Sequence, residues 1–251
     1  MMEAFFFGPS NQQLFGSYHP PLNGDGYVLT VICPPLFSEL GRTHSALRRL
    51  ALSLAERGQH VLRFDYRGTG DSFGDLEAVN VSDWIADVEL AVEEGRDVSG
   101  CEKVQVLAVR AGGLLACTAA GAASDIHKVV LWDPVADGVS YLQSICDVQA
   151  ESFKHNFRLS RAERSDAMRD IGGWRISEPM REQFGSLGAD AYARVPSSKL
   201  HVVSTASENG FSPAEVAAEV LPYPCNWESN GENLINPQPV LERLFACLTK
   251  S

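Results

Sequence analysis

No apolar run in this chain of 251 residues reaches about 18, so no segment is long enough to span a bilayer as a helix. A basic face is missing too. Lysines and arginines are scattered and the formal net charge is -11, which argues against nucleic acid, because phosphate neutralisation needs clustered cations. The six cysteines show no C-x-x-C spacing, so neither a zinc site nor a disulfide frame is expected, and no metal or cofactor is assigned. The start, Met1-Met2-Glu3-Ala4-Phe5, lacks the basic n-region of a secretory signal. Together these features point to reduced thiols, a cytoplasmic setting and one sizeable domain.

The next absence is chemical. Val104 to Val109 reads as a buried strand that runs through Arg110-Ala111-Gly112-Gly113 into a helix of small residues. Strand, sharp turn and helix are the setting of a nucleophile elbow, where G-x-S-x-G presents a serine at the apex. The frame here is Ala108, Val109, Arg110, Ala111, Gly112, so arginine holds the serine position. A guanidinium has no nucleophilic lone pair and stays protonated near neutral pH. A formal G-x-S-x-G does occur at Gly70-Asp71-Ser72-Phe73-Gly74, but no helix begins there, so Ser72 reads as part of a glycine-rich loop.

Strands and helices alternate along the chain. Phe5 to Phe7 and Leu14 to Tyr18 form a short antiparallel pair, followed by a strand from Tyr27 to Cys33, a loop from Pro34 to Gly41, and a helix from Arg42 to Arg57 that stops at Gly58. The strand at Val61, a helix from about Ser82 with Trp84, Val88 and Ala91 on one face, the elbow unit and the strand Lys128 to Trp132 follow. From 138 to 194 the rhythm breaks into polar helical stretches near Tyr141 to Phe157, Arg161 to Asp170 and Glu178 to Phe184, read as a helical cap inserted after the strand ending at Asp133. Residues 1–137 and 195–251 form the core. The latter segment holds a strand from Leu200 to Thr205, a short helix from Pro213, a strand near Val220 and a last helix opening at Pro239. This order predicts an α/β-hydrolase fold, with a mainly parallel central sheet and helices on both faces.

Several segments carry a resemblance: Gly8-Pro9-Ser10, Tyr18-His19-Pro20-Pro21, Cys33-Pro34-Pro35, Arg42-Thr43-His44, Phe64-Asp65-Tyr66-Arg67-Gly68-Thr69-Gly70-Asp71-Ser72 and Leu131-Trp132-Asp133-Pro134-Val135. From Phe5 to about Pro179 the chain resembles the second type of exosortase-associated α/β-hydrolase and related proteins of bacterial biosynthetic gene clusters. The resemblance implies a hydrolase fold and an arginine at the elbow as a family trait, and it specifies no reaction.

The remaining triad positions can be read by placement. After the cap the acid position is Asn209, beside Glu208, and Asp133 holds the alternative place after the elbow's neighbouring strand. The loop Asn226 to Asn233 contains no histidine, so a Ser-His-Asp relay lacks two members. Arg110, at a helix N-terminus with the amide of Ala111 and one near Pro35 or Leu36, suits a carboxylate, a phosphate or a thioester carbonyl. Glu39 and His44 are candidate proton-transfer groups, Asp133 a candidate orienter, and Trp227 and His155 candidate pocket residues.

Each has a plainer reading. Arg110 can pair with Asp133 or Glu39 inside a filled pocket. Arg42 can face solvent, and His19, His60 and His127 can lie at the surface, while Trp227, Met168 and Met180 can simply pack. Two classes of function survive: an enzyme using acid–base and electrostatic chemistry on a small acyl, ester or thioester substrate, and a catalytically silent protein that binds a ligand or partner. Arg110→Ala is expected to abolish binding or turnover without loss of stability. Oligomeric state and substrate identity are left open.

Overall fold

The computed structural model describes residues 2–24, 26–122, 126–154, 170–171, 173–205, 211–213, 216–227 and 234–250. Eight strands form one sheet: β1 (Glu3–Phe7), β2 (Leu14–His19), β3 (Val28–Cys33), β4 (His60–Phe64), β5 (Lys103–Val109), β6 (Ile126–Trp132), β7 (Leu200–Thr205) and β8 (Ala218–Leu221). Their order is β1-β2-β4-β3-β5-β6-β7-β8. From β4 to β8 every pairing is parallel, and β2 runs antiparallel to both β1 and β4. This is the α/β-hydrolase fold.

Parallel strands covered on both faces must be apolar throughout, and their alternate residues go to opposite cores. Val104, Val106 and Ala108 of β5 join Leu29, Val31 and Val129 on one face, against Trp84, Val88 and Ala91 of α2 (Val81–Ser99) and Leu114 and Leu115 of α3 (Gly112–Ala122). Leu107 and Val109 join Ile32, Val130 and Trp132 on the other face. There they meet Leu47, Leu50 and Leu54 of α1 (Ser38–Glu56), and Val240, Leu241 and Leu244 of the final helix (Gln238–Thr249). Three polar residues buried on this face satisfy one another: Gln105 donates to Thr30 Oγ1 at 2.8 Å and to the Leu248 carbonyl at 2.9 Å, and Thr30 donates to Gln59 at 2.8 Å.

Helix α1 begins at Ser38, four residues before the sequence reading placed it. Its apolar stripe becomes visible only near Leu47, whereas the first turn is closed by backbone bonds from Glu39 to Leu36 and from Leu40 to Phe37. Glu39 is therefore helical rather than on a loop. The short helix expected from Pro213 is not seen in its described part: the Val216 amide donates to the Pro213 carbonyl, and Ala218 already opens β8.

Between β6 and β7 lie α4 (Gly138–Lys154), α5 (Glu178–Gly185) and α6 (Asp190–Ala193). Ser177 caps α5 by accepting the Met180 amide, and Met180 is fully buried. The expected helix at 161–170 lies outside the described residues except for its last position. The last helix of the chain is α7 (Gln238–Thr249).

Candidate ligand site at the strand carboxyl ends

Three non-glycine residues have positive φ among the described residues: Phe37 at 54°, Arg110 at 54° and Asp133 at 45°. They follow the carboxyl ends of the adjacent strands β3, β5 and β6, the edge where sheets of this type bind ligands. Such backbone costs about 1–3 kcal/mol per residue and persists where the surroundings enforce it. At the elbow the enforcement is visible. The Arg110 amide donates to the Trp132 carbonyl at 2.9 Å, and a Cβ on Gly112 would stand 2.5 Å from the Pro34 carbonyl oxygen. Only glycine lets the elbow approach the β3–α1 turn this closely, and Pro35, Leu36 and Ala111 on the two segments are all buried.

The Arg110 side chain is held at three points. Nε donates to Glu39 Oε1 at 3.1 Å, Nη1 donates to the Asp133 carbonyl at 3.3 Å, and the guanidinium lies 5.0 Å from the Trp227 ring centroid. Its side chain retains 16% exposure while that of Glu39 retains 4%. Burial opposes the arginine charge, but Glu39 and Tyr141 outweigh it, so Arg110 is more firmly protonated than usual. For Glu39, burial pushes the carboxyl pKa up, and Arg110, Tyr141 and Arg42 pull it part of the way back.

Tyr141, which the sequence reading used only to mark a helix, reaches in from α4. Its hydroxyl lies 3.0 Å from Glu39 Oε2 and 3.3 Å from the Leu36 carbonyl. A polar segment after β6 with one aromatic in the first turn of its helix was the available signal, and periodicity alone does not separate such a residue from packing.

Asp133 is oriented, but not towards Arg110. Its carboxylate accepts the Thr205 amide at 2.6 Å, the Thr205 hydroxyl at 2.8 Å and the Trp227 indole N–H at 2.8 Å. The expectation that this carboxylate pairs with Arg110 or orients His44 is therefore corrected: three donors already occupy it, and only its backbone carbonyl meets the arginine. Trp227 is 7% exposed and packs edge-on against Trp132, 5.4 Å between centroids. Its loop is fixed by Arg42, which donates to the Trp227 carbonyl at 2.8 Å and also to the Asn226 carbonyl. Arg42 is 8% exposed, so the solvent-facing reading was wrong; its partners lie some 185 positions away in sequence.

His44 does not join this group. Five residues from Glu39, it turns about 140° around the helix and is exposed, lining a separate cleft with Arg63 and Asp65. Burial and Arg63 hold its pKa below the usual histidine value. His19, expected at the surface, is 2% exposed because β2 is covered by α1, and burial lowers its pKa to about 4. Ser72 bridges loop and strand, donating to the Asp65 carbonyl at 2.5 Å and accepting the Phe15 amide at 2.9 Å. Asn209 and His155 lie outside the described residues.

Several solved structures share this architecture. Proline iminopeptidase from Mycobacterium smegmatis is 14% identical, with TM-score 0.62 over 98% of this chain and 97% of that one. A carboxyl esterase from Bacillus coagulans is 11% identical, with TM-score 0.64 over 98% and 97%. The thioesterase domain from the curacin biosynthetic pathway is 14% identical, with TM-score 0.60 over all of both chains. At such identities the likeness is one of fold. No curated protein sequence matches the chain. The model of the serine aminopeptidase S33 family matches residues 36–170, more than half the length and inclusive of the elbow, Glu39, Tyr141 and Asp133. The chain belongs to the serine aminopeptidase S33 family of α/β-hydrolases.

Proposed function

We propose that this protein binds a small acyl compound at Arg110 by its carboxylate or thioester oxygen and does not form a covalent acyl-enzyme. The observation that carries the reading is the state of the guanidinium. Nε and Nη1 are fixed on Glu39 and Asp133, while Nη2 has no hydrogen-bond partner among the described residues and the side chain keeps some exposure. A pre-oriented, partly desolvated guanidinium edge suits a carboxylate or thioester oxygen. Trp227 makes to Asp133 the bond that a relay imidazole would make, yet an indole N–H only donates and cannot take a proton from a nucleophile. The acyl class is supported by the esterase and thioesterase among the similar folds. Residues 138–194 serve as a cap in this reading, supported by Tyr141 reaching the site from α4. The exosortase-associated type, a biosynthetic role and a cytoplasmic setting belong to the same proposal, the last supported by unpaired cysteines.

Calorimetric titration with butyrate and butyryl-pantetheine tests it. The reading predicts saturable binding that Arg110→Ala weakens by tenfold or more, and no mass adduct after a fluorophosphonate treatment. Equal binding by the variant, or a stoichiometric adduct, contradicts it.

One observation favours turnover by acid–base chemistry instead: a buried carboxyl with raised pKa shares a hydrogen bond with a tyrosine hydroxyl at 3.0 Å, a proton path from Glu39 to the site. Steady hydrolysis or elimination of a butyryl thioester, lost in Tyr141→Phe, would establish that second reading.

A further inference from the structure

We propose that the cleft between α1 and the β2–β4 strand pair is a second binding site, for a small zwitterion of the α-amino-acid class. It shares no lining residue with the Arg110 site and does not rest on the function proposed above. Its volume is about 250 Å³, and its polar wall is made by Ser17, His44, Arg63, Asp65 and Asp71. Ser17 and Arg63 are register partners on β2 and β4, so both present the same face to α1.

The Arg63 side chain makes no hydrogen bond or ion pair among the described residues, and its Nε is wholly buried without a partner. Leaving a charged donor unmatched is costly, and an arginine so placed is complementary to a carboxylate. Burial works against its charge, as does Arg48, while Asp65 supports it. Arg48 lies on the adjoining turn of α1, and its exposed side chain adds positive potential near the cleft.

The opposite sign is present in the same cleft but does not neutralise the arginine. Asp65 lies within 4.0 Å of no arginine nitrogen among the described residues; its Oδ2 instead accepts the Asp71 amide at 3.2 Å. Gly70 closes the loop over this carboxylate, since a Cβ there would stand 2.1 Å from Oδ2, at a φ of 53° that glycine tolerates. An arginine and two aspartates held apart on the walls of one small cleft match a ligand with a carboxylate at one end and an ammonium at the other. A simple anion would meet Asp65 and Asp71, and a simple cation would meet Arg63.

An NMR titration of the full chain with L-alanine, propionate and ethylamine, following the His44 ring, tests this. The proposal predicts a saturable shift with alanine and binding at least tenfold weaker for propionate and for ethylamine. Arg63→Gln should weaken alanine tenfold or more, and so should Asp65→Asn, which keeps the size of the side chain if the first variant fails to fold. The proposal is overturned by no saturable His44 shift, by propionate binding as well as alanine, which marks an anion site only, or by undiminished alanine binding in a folded variant.

Discussion

Removing the Arg110 guanidinium would leave Glu39, 3% exposed, with Tyr141 as its nearest donor. The sequence-based expectation that Arg110→Ala leaves stability untouched is revised by this pairing, since breaking one side of a buried pair strands the other charge. We expect Arg110→Ala to lose about 2–4 kcal/mol near pH 8. The sign of its pH dependence follows from Glu39. Without Arg110 the folded carboxyl pKa rises further above its unfolded value of about 4.3, so stability is retained below that value and lost as pH rises through the folded one. Chemical denaturation should therefore show a deficit that nearly vanishes at about pH 4, and Glu39→Gln on top of Arg110→Ala should remove most of it at about pH 8. A deficit independent of pH would show that Glu39 is not the stranded group. Trp227→Phe keeps most of the packing but removes one of three donors to Asp133, for an expected loss of about 1–2 kcal/mol in the same assay.

At the scale of elements, the strands were legible because buried parallel strands have few alternatives: Val106 to Val109 and Val129 to Trp132 are apolar through both faces. The elbow was legible as well, since a strand running into Ala111-Gly112-Gly113 leaves one place for a sharp turn. What connects separate elements was not. Periodicity gives no sign that Arg42 of α1 reaches the loop before α7, or that Thr205 of β7 meets Asp133 just past β6, because those partners are set by the twist and stacking of the sheet. His44 was placed wrongly because its neighbourhood to Glu39 in sequence was read as shared location, while a helix turns them apart. Gly112→Ala tests the contact between elements: with its Cβ against a backbone carbonyl it should destabilise by at least about 2 kcal/mol. Unchanged thermal stability would mean that the elbow and the β3–α1 turn have room to separate.

For the molecule as a whole, a buried acid outside the site sets a pH signature. Asp87 on α2 is wholly buried and accepts the Arg67 backbone amide at 2.8 Å and its Nε at 2.5 Å. Burial outweighs these bonds and raises its pKa to about 6. A carboxyl raised in the folded state contributes stability below the usual aspartate pKa and loses it as pH climbs through the folded value, here on the order of 3 kcal/mol between about pH 4 and 6. Asp87→Asn should flatten that decline in thermal melts, and an unchanged slope would assign it to other groups. Among the described residues no helix is long and apolar enough to cross a membrane.

The most direct test of the central claim is a crystal structure of the protein soaked in butyrate. The account predicts a carboxylate within hydrogen-bond distance of Arg110 Nη2, with the Glu39 and Asp133 contacts retained. Butyrate bound away from Arg110 would contradict it, as would an Arg110 side chain swung out of the site.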